Sequence, residues 1–211
     1  MNGGGHHVKW LSFNERGVGL NRNNALMRAT GDVCLFADDD MVYVDGYADI
    51  VKKAFEQVPN ADIIVFNLIE ENPTRYIIPK LRKVSWINYL RYGTARVAVK
   101  RSVIKDYGIY FNQCFGGGTE YSHGEDNLFL TDCLRKGLKI YAYPEYIAKL
   151  TEERKSTWDI GDNKKYLKDQ GILYRHISKR FWRFLCLQDA VRRCDDYGMN
   201  WRDAYKLMLK Q

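Results

Sequence analysis

Several features are missing from this 211-residue chain, and each omission excludes a class of protein. No window holds the roughly 18 consecutive apolar residues that a membrane-spanning helix needs. The start, Met1 to His7, has no apolar stretch before the first strand-like run, so no secretory leader is expected. The cysteines, Cys34, Cys114, Cys133, Cys186 and Cys194, are odd in number and widely spaced, without a C-x-x-C pair. That argues against a disulfide framework or a zinc site, and reduced, mostly buried thiols in a cytoplasmic protein are expected. His6, His7, His123 and His176 show no H-x-x-x-H spacing. Internal repeats and low-complexity tracts are absent beyond short glycine runs.

What is present is a globular composition, 45% hydrophobic and 28% charged, with 33 basic against 26 acidic residues and a net charge of +7. A polyanion, a phosphorylated small molecule or an anionic membrane surface all suit that balance. Nucleic acid has only the net charge behind it, since no recognised binding module appears, and it is not expected as a partner.

Strand and helix patterns alternate over the first 150 residues. Val8 to Phe13 has β character; Gly17 to Ala29 turns into a helix with Leu20 and Met27 inward; and Val33 to Ala37 is an apolar, buried-strand pattern. Asp45 is placed to cap a helix reaching Gln57. Further strands are expected at Asp62–Leu68, Arg75–Pro79, Ala95–Val99 and Lys139–Pro144, with helical turns at Trp86–Tyr92 and Ser102–Tyr107. Strands alternating with helices imply an α/β fold with a mainly parallel sheet. The glycine- and aromatic-rich segment from Tyr110 to His123 reads as a flexible loop able to close over a ligand. Beyond Thr151 the chain becomes polar and basic, with helical patterns at Lys164–Gly171, Leu173–Arg193 and Trp201–Lys210. The expected division is a domain over 1–150 and a helical C-terminal appendage over 151–211.

The chemistry-bearing stretch is Asp38-Asp39-Asp40, three carboxylates at the end of an apolar strand. They can coordinate a divalent cation that itself holds a diphosphate, cap the following helix and loop, or form a solvated turn. Ligand sites in open α/β sheets lie beyond the carboxyl ends of strands, which favours the first. One or two carboxylates plus substrate phosphates is the expected form for Mg²⁺ or Mn²⁺. The second acidic element, Glu125-Asp126, opens a helix, where simple capping competes with a functional role.

Taken together, Arg22-Asn23, Gly31-Asp32, the strand into Asp38-Asp39-Asp40, and Gly124-Glu125-Asp126 before a helix resemble the family 2 glycosyltransferases, which have the GT-A fold. The resemblance covers roughly Glu15 to Pro144, with sixteen residues from Arg22 to Asp38 and 86 from Asp40 to Asp126. It implies a metal-dependent, inverting, non-processive transfer of sugar from a nucleotide-sugar donor, a UDP-sugar foremost, to a glycan or lipid-linked acceptor. By the same resemblance Asp38 faces the ribose, Asp40 binds the metal (Mn²⁺ or Mg²⁺), and Asp39 is the tolerant middle position. Asp126 is the implied general base, Glu125 helps to orient donor or acceptor, and Arg22 with Asn23 lies close to the nucleotide. One base without a covalent nucleophile implies inversion.

Two departures qualify the pattern. The family's domain normally starts with a strand, helix and strand that build the base pocket, and this chain begins after them, so an incomplete nucleotide pocket and an exposed sheet edge are expected. The Gln-x-x-Arg-Trp motif of processive members has only a loose echo at Gln188 to Arg193. A non-catalytic nucleotide-sugar or glycan-binding protein therefore stays open beside the enzyme.

In the tail, Arg175 to Leu185 mixes bulky apolar and basic residues and suits an anionic membrane surface. The competing expectation is that Ile177, Phe181, Phe184 and Leu185 dock the appendage on the domain. Trp86 and Trp158 can stack on acceptor sugars or lie in the core.

Overall fold

The computed structural model describes residues 9–151 and 163–210. Its strands are β1 (Val33–Leu35), β2 (Met41–Tyr43), β3 (Ile63–Ile69), β4 (Arg82–Lys83), β5 (Val97–Lys100) and β6 (Ile140–Leu150). Its α-helices are α1 (Val18–Arg28), α2 (Tyr47–Gln57), α3 (Arg101–Tyr107), α4 (Glu125–Arg135), α5 (Asn163–Ile177), α6 (Trp182–Arg192) and α7 (Trp201–Leu209), with 3₁₀ turns at Tyr89–Arg91 and Thr94–Arg96. The strands form one sheet in the order β1-β5-β3-β6-β2, with β4 also pairing on β6.

β3 holds the centre because it is apolar on both faces. Ile63 and Val65 pack into one core with α4 and α5 residues, while Ile64 and Phe66 pack into the other with Val51 and Ala54 of α2. A strand covered on both sides reads as a continuous apolar run, and β3 does. The first core runs without a break from the sheet into the appendage, through Leu167, Leu173, Cys186 and Met208.

The α/β architecture is as expected, but the sheet is mixed. β3 and β6 run parallel; β1 with β5, β3 with β5, β2 with β6 and β4 with β6 run antiparallel. β6 outruns its expected end at Pro144: its first half pairs β4 at Tyr141 and Ala142, and its second half pairs β2 from Ala148 to Leu150. β2, directly after the aspartates, has no counterpart among the sequence expectations. It forms only because β6 passes beside it.

Other local expectations are corrected. Residues 9–13 form no strand, and Val8 lies outside the described residues. Gly46 rather than Asp45 starts α2. Arg75–Pro79 is not a strand, because the backbone N–H and C=O of Ile78 bond the side chain of buried Asn67 at 2.8 and 3.0 Å instead of a neighbouring strand. Val33 is exposed because β1 ends the strand order. On α1, Leu26 faces the core and Met27 faces solvent. Of the cysteines, Cys133 and Cys186 are buried and Cys114 is exposed. The expected long helix over Leu173–Arg193 is two helices, α5 and α6.

The docking expectation for the tail holds by half. Ile177 is buried and Leu185 packs against the core, but Phe181 and Phe184 are 56% and 64% exposed. No helix among the described residues is long and apolar enough to cross a membrane.

The three C-terminal helices pack closely enough to need a glycine. A methyl group at Gly171 of α5 would collide with the Met208 carbonyl on α7, which is backbone and cannot rotate away. Gly171→Ala should therefore lower unfolding stability by about 1–3 kcal/mol or force α5 and α7 apart, measurable by urea denaturation. An unchanged midpoint would show that these helices are not held in this packing.

Candidate active site

The site is assembled around Arg22, which α1 projects towards the two acidic elements. Its Nη2 donates to Asp38 Oδ1 at 2.8 Å, and its Nη1 donates to Asp126 Oδ1 at 2.8 Å and, more weakly, to Glu125 Oε1 at 3.5 Å. The guanidinium also lies 5.2 Å over the Phe111 ring, itself stacked on Phe129 at 4.4 Å. Burial works against its charge, but Asp126, Asp38 and Glu125 outweigh that and raise its pKa. Residues more than a hundred positions apart are thus tied by one side chain.

α4 supplies the other half. Glu125 and Asp126 are its first two residues, after Gly124 in the left-handed conformation, so their charges are favoured by the helix N-terminus. Their surroundings differ. Glu125 is 3% exposed, and its Oε2 has no hydrogen-bond partner. Burial first, and the neighbouring Asp126 charge second, push the Glu125 carboxyl up to about 7 against the pull of Arg22. Asp126 stays partly exposed and is held from two sides: Thr94 donates its N–H to Oδ2 at 2.9 Å and its hydroxyl to Oδ1, beside the Arg22 bond.

The loop from Tyr110 to His123 is an ordered cover rather than an open strap. Gly116 N–H bonds Tyr121 O at 2.8 Å, Tyr121 N–H bonds Cys114 O at 3.0 Å, and Val18 N–H bonds Gly117 O at 3.2 Å. Gly116 has φ 106°, and a Cβ there would stand 2.8 Å from Glu125 Oε2, so only glycine lets the loop lie this close. Asn23 fastens the loop's start: its Nδ2 donates to Phe111 O at 2.9 Å and Phe111 N–H donates to its Oδ1 at 2.7 Å. Asn23 is 4% exposed, and its side chain positions the loop.

Asp38 and Asp39 are exposed, and Asp40 is half-buried at the entrance to β2. Thr151 clamps the Asp40 carbonyl, donating its N–H at 2.8 Å and its hydroxyl at 3.0 Å. Asp40 Oδ1 is buried without a hydrogen-bond partner, and an orphaned carboxylate oxygen is what a cation takes up. Among the described residues no cluster of three or more His, Cys, Asp or Glu side chains could hold a metal. A site completed by donor phosphates needs only one or two carboxylates, so Asp40 fits the group.

Beside Asp126 opens a cleft of about 740 Å³, lined by Trp86–Asn88, Leu90–Arg91 and Glu125–Asn127 together with residues of α5 and α6. His123 lines it as a buried ring stacked on Tyr166 at 4.2 Å, with Nε2 2.6 Å from Gln170 Oε1. Burial lowers its pKa. Trp86 is 52% exposed there; Trp158, His6 and His7 lie outside the described residues.

Arg22, Asp38, Glu125 and Asp126 are therefore one network, with Asp39 and Asp40 on its outer side. Thr94 and Thr151 escaped notice in the sequence, where a lone threonine carries no signal.

A sequence profile described as glycosyl transferase family 2 matches residues 2–115. No curated protein matches the chain. Among solved structures, it superposes on S. aureus TarS 1-349 in complex with UDP-GlcNAc with a TM-score of 0.66 at 16% identity, over 97% of this chain and 60% of that one. It superposes on S. aureus TarS 1-349 in complex with UDP with a TM-score of 0.58 at 17% identity, over 86% and 54%. The chain thus spans about 60% of the length of the first of these structures.

The Glu125 carboxyl has a testable linkage. Its folded value of about 7 lies above its ordinary 4.5, so across that window the folded protein holds a proton that the unfolded chain has released. Stability must fall as pH rises through the window. Glu125→Gln should remove that loss, being more stable than wild type by about 3 kcal/mol above pH 7 and no more stable at pH 4.5, in urea denaturation across pH. A difference independent of pH would contradict the burial argument.

Proposed function

The chain belongs to glycosyl transferase family 2, and from that premise we propose that it transfers a sugar from a nucleotide-sugar donor, UDP-linked foremost, to a hydroxyl of a glycan or lipid-linked acceptor, with inversion at the anomeric carbon. Its framework is the GT-A fold. The observation that supports the proposal is the double bridge of Arg22, which holds Asp38 and Asp126 at 2.8 Å each and so brings the aspartate triplet against the acidic start of α4.

Asp38 and Asp40 would face the donor, Asp38 towards the ribose and Asp40 as the metal ligand. A divalent cation bound there, Mn²⁺ or Mg²⁺, would neutralise the diphosphate leaving group. Asp126 opens on the cleft and is oriented by Thr94 and Arg22. It takes the proton from the acceptor hydroxyl as the oxygen attacks the anomeric carbon and the bond to the diphosphate breaks. Glu125, buried behind it, holds Arg22 in place. With Asp126 as base and the acceptor oxygen as the nucleophile, a single direct displacement inverts the configuration. A peripheral contact with an anionic membrane belongs to the same proposal: Phe181 and Phe184 stand exposed among Lys179, Arg180 and Arg183. Co-sedimentation with anionic liposomes at low salt tests it, and no binding would remove it.

The catalytic assignment is checked with UDP-sugar turnover and UDP binding measured side by side. Asp126→Asn should slow turnover by about 10²–10⁴-fold while UDP affinity is kept. Asp40→Ala should abolish the Mn²⁺ dependence of UDP binding. Turnover surviving in Asp126→Asn, or product with retained configuration, would overturn the mechanism, and UDP binding without turnover in wild type would favour a binding protein.

A further inference from the structure

A second cleft, of about 400 Å³, is lined by the end of β3, by residues 73–77 and by Arg96 at the end of the 3₁₀ turn Thr94–Arg96. It shares no lining residue with the cleft beside Asp126. Most of its polar lining is already satisfied. Glu70 meets Arg75 at 3.1 Å and accepts the Thr74 N–H and hydroxyl at 3.0 and 3.2 Å. Both ends of the Asn67 amide are spent on Ile78, and the Tyr76 hydroxyl accepts from Arg82 at 3.3 Å.

Arg96 is the exception. It is 2% exposed, yet no carboxylate lies within ion-pair distance of it among the described residues, and its Nε has no hydrogen-bond partner. Its Nη1 donates to the Tyr76 carbonyl at 2.9 Å and its Nη2 to the Arg91 carbonyl at 3.3 Å, which supplies dipoles but no countercharge. Burial first, and the Arg75 charge second, lower its pKa to about 10, and the pull of Tyr92 and Glu70 offsets only part of that. A cation sealed from water is costly to hold unless an anion meets it. The rest of the lining selects the kind of anion. Ile69, Ile77 and Tyr146 stand exposed around the cleft, apolar surface that the body of a small ligand can cover. One unanswered positive charge calls for one negative charge: a carboxylate supplies it to the planar guanidinium, whereas a dianionic phosphate monoester carries a surplus charge against apolar walls.

We propose that this second cleft binds a small monocarboxylate with an apolar body, its acid group set against the Arg96 guanidinium and its body against Ile69, Ile77 and Tyr146. The site is separate from the sugar-transfer network and does not depend on the glycosyltransferase reading.

Isothermal titration calorimetry at fixed ionic strength and about pH 8, where a phosphate monoester is a dianion, tests it with three probes that share one ring and differ in charge: benzoate, benzyl alcohol and phenyl phosphate. Benzoate should saturate, and the other two should bind about tenfold or more weakly. UDP with Mn²⁺ should leave the benzoate titration unchanged. Arg96→Met should lose benzoate binding. That variant also gives up two backbone hydrogen bonds, so the exposed Ile77 supplies a test that leaves Arg96 untouched. Ile77→Glu places a carboxylate in the cleft and should weaken benzoate by about tenfold or more, whereas the neutral Ile77→Gln should largely keep it. If Arg96→Met does not fold, the Ile77 pair decides. Benzoate that fails to saturate, benzyl alcohol or phenyl phosphate bound as tightly, displacement by UDP, or undiminished benzoate binding in Ile77→Glu would overturn the proposal and leave Arg96 a purely structural cation.

Discussion

Removing the Arg22 guanidinium from water costs solvation that close carboxylates must offset, and three converge on it, from the segment after β1 and from the first turn of α4. The two elements are held unequally apart from that bridge, since Thr94 also bonds Asp126. Asp38 is exposed and follows a three-residue edge strand, and Asp126 stands at a helix start where water competes for it. The guanidinium joins two separate acidic segments into a single surface. It also fixes their separation, with Asp38 and Asp126 each 2.8 Å from the same guanidinium.

That bridge depends on supports drawn from across the fold. Asn23, one residue beyond Arg22, spends its amide on the Phe111 backbone and so sets the rotation of α1 against the loop. Phe111 stacks on Phe129 of α4 and meets Phe36 edge-on at 5.1 Å, which joins α1, β1 and α4 through one aromatic cluster. Thr94 holds Asp126 from the turn that leads into β5, the neighbour of β1. The sheet thus carries both acidic elements, and the ordered loop over Glu125 keeps water from the back of the network.

The parts of this arrangement legible in the sequence are those with a local pattern. Three aspartates after an apolar run, and an acidic pair after a glycine at a helix start, advertise themselves, and the residues Arg22, Asp38, Glu125 and Asp126 do meet. What stayed hidden is set by partners far along the chain. β2 exists because the second half of β6 reaches it; Arg75–Pro79 fails as a strand because Asn67 takes its backbone bonds; and the Asn23 side chain is engaged by the backbone of Phe111, 88 positions further on. The mixed sheet was hidden for the same reason, since alternating strand and helix patterns do not reveal which strand lies beside which. Phe181 and Phe184 show the converse: helical spacing alone predicts burial, and here no element of the described chain covers them.

The division between the two carboxylates of α4 follows from this geometry rather than from their order in the chain. Adjacent acids sharing one guanidinium cannot both be equally comfortable as anions, so the environment separates them. Glu125 is sealed beneath Gly116 with one oxygen lacking any donor, and its carboxyl is driven up to about 7. Asp126 receives Arg22 and both donors of Thr94, and it is the one of the pair that keeps contact with solvent in the cleft. Of the two, Asp126 alone is both open to solvent and held in orientation, which is why the proposed mechanism gives it the part of the base. The proton that Glu125 can retain near neutrality then has a consequence for its neighbour: with Glu125 neutral, Arg22 divides its charge between Asp38 and Asp126 only, and the segment after β1 and the start of α4 are held by the same cation.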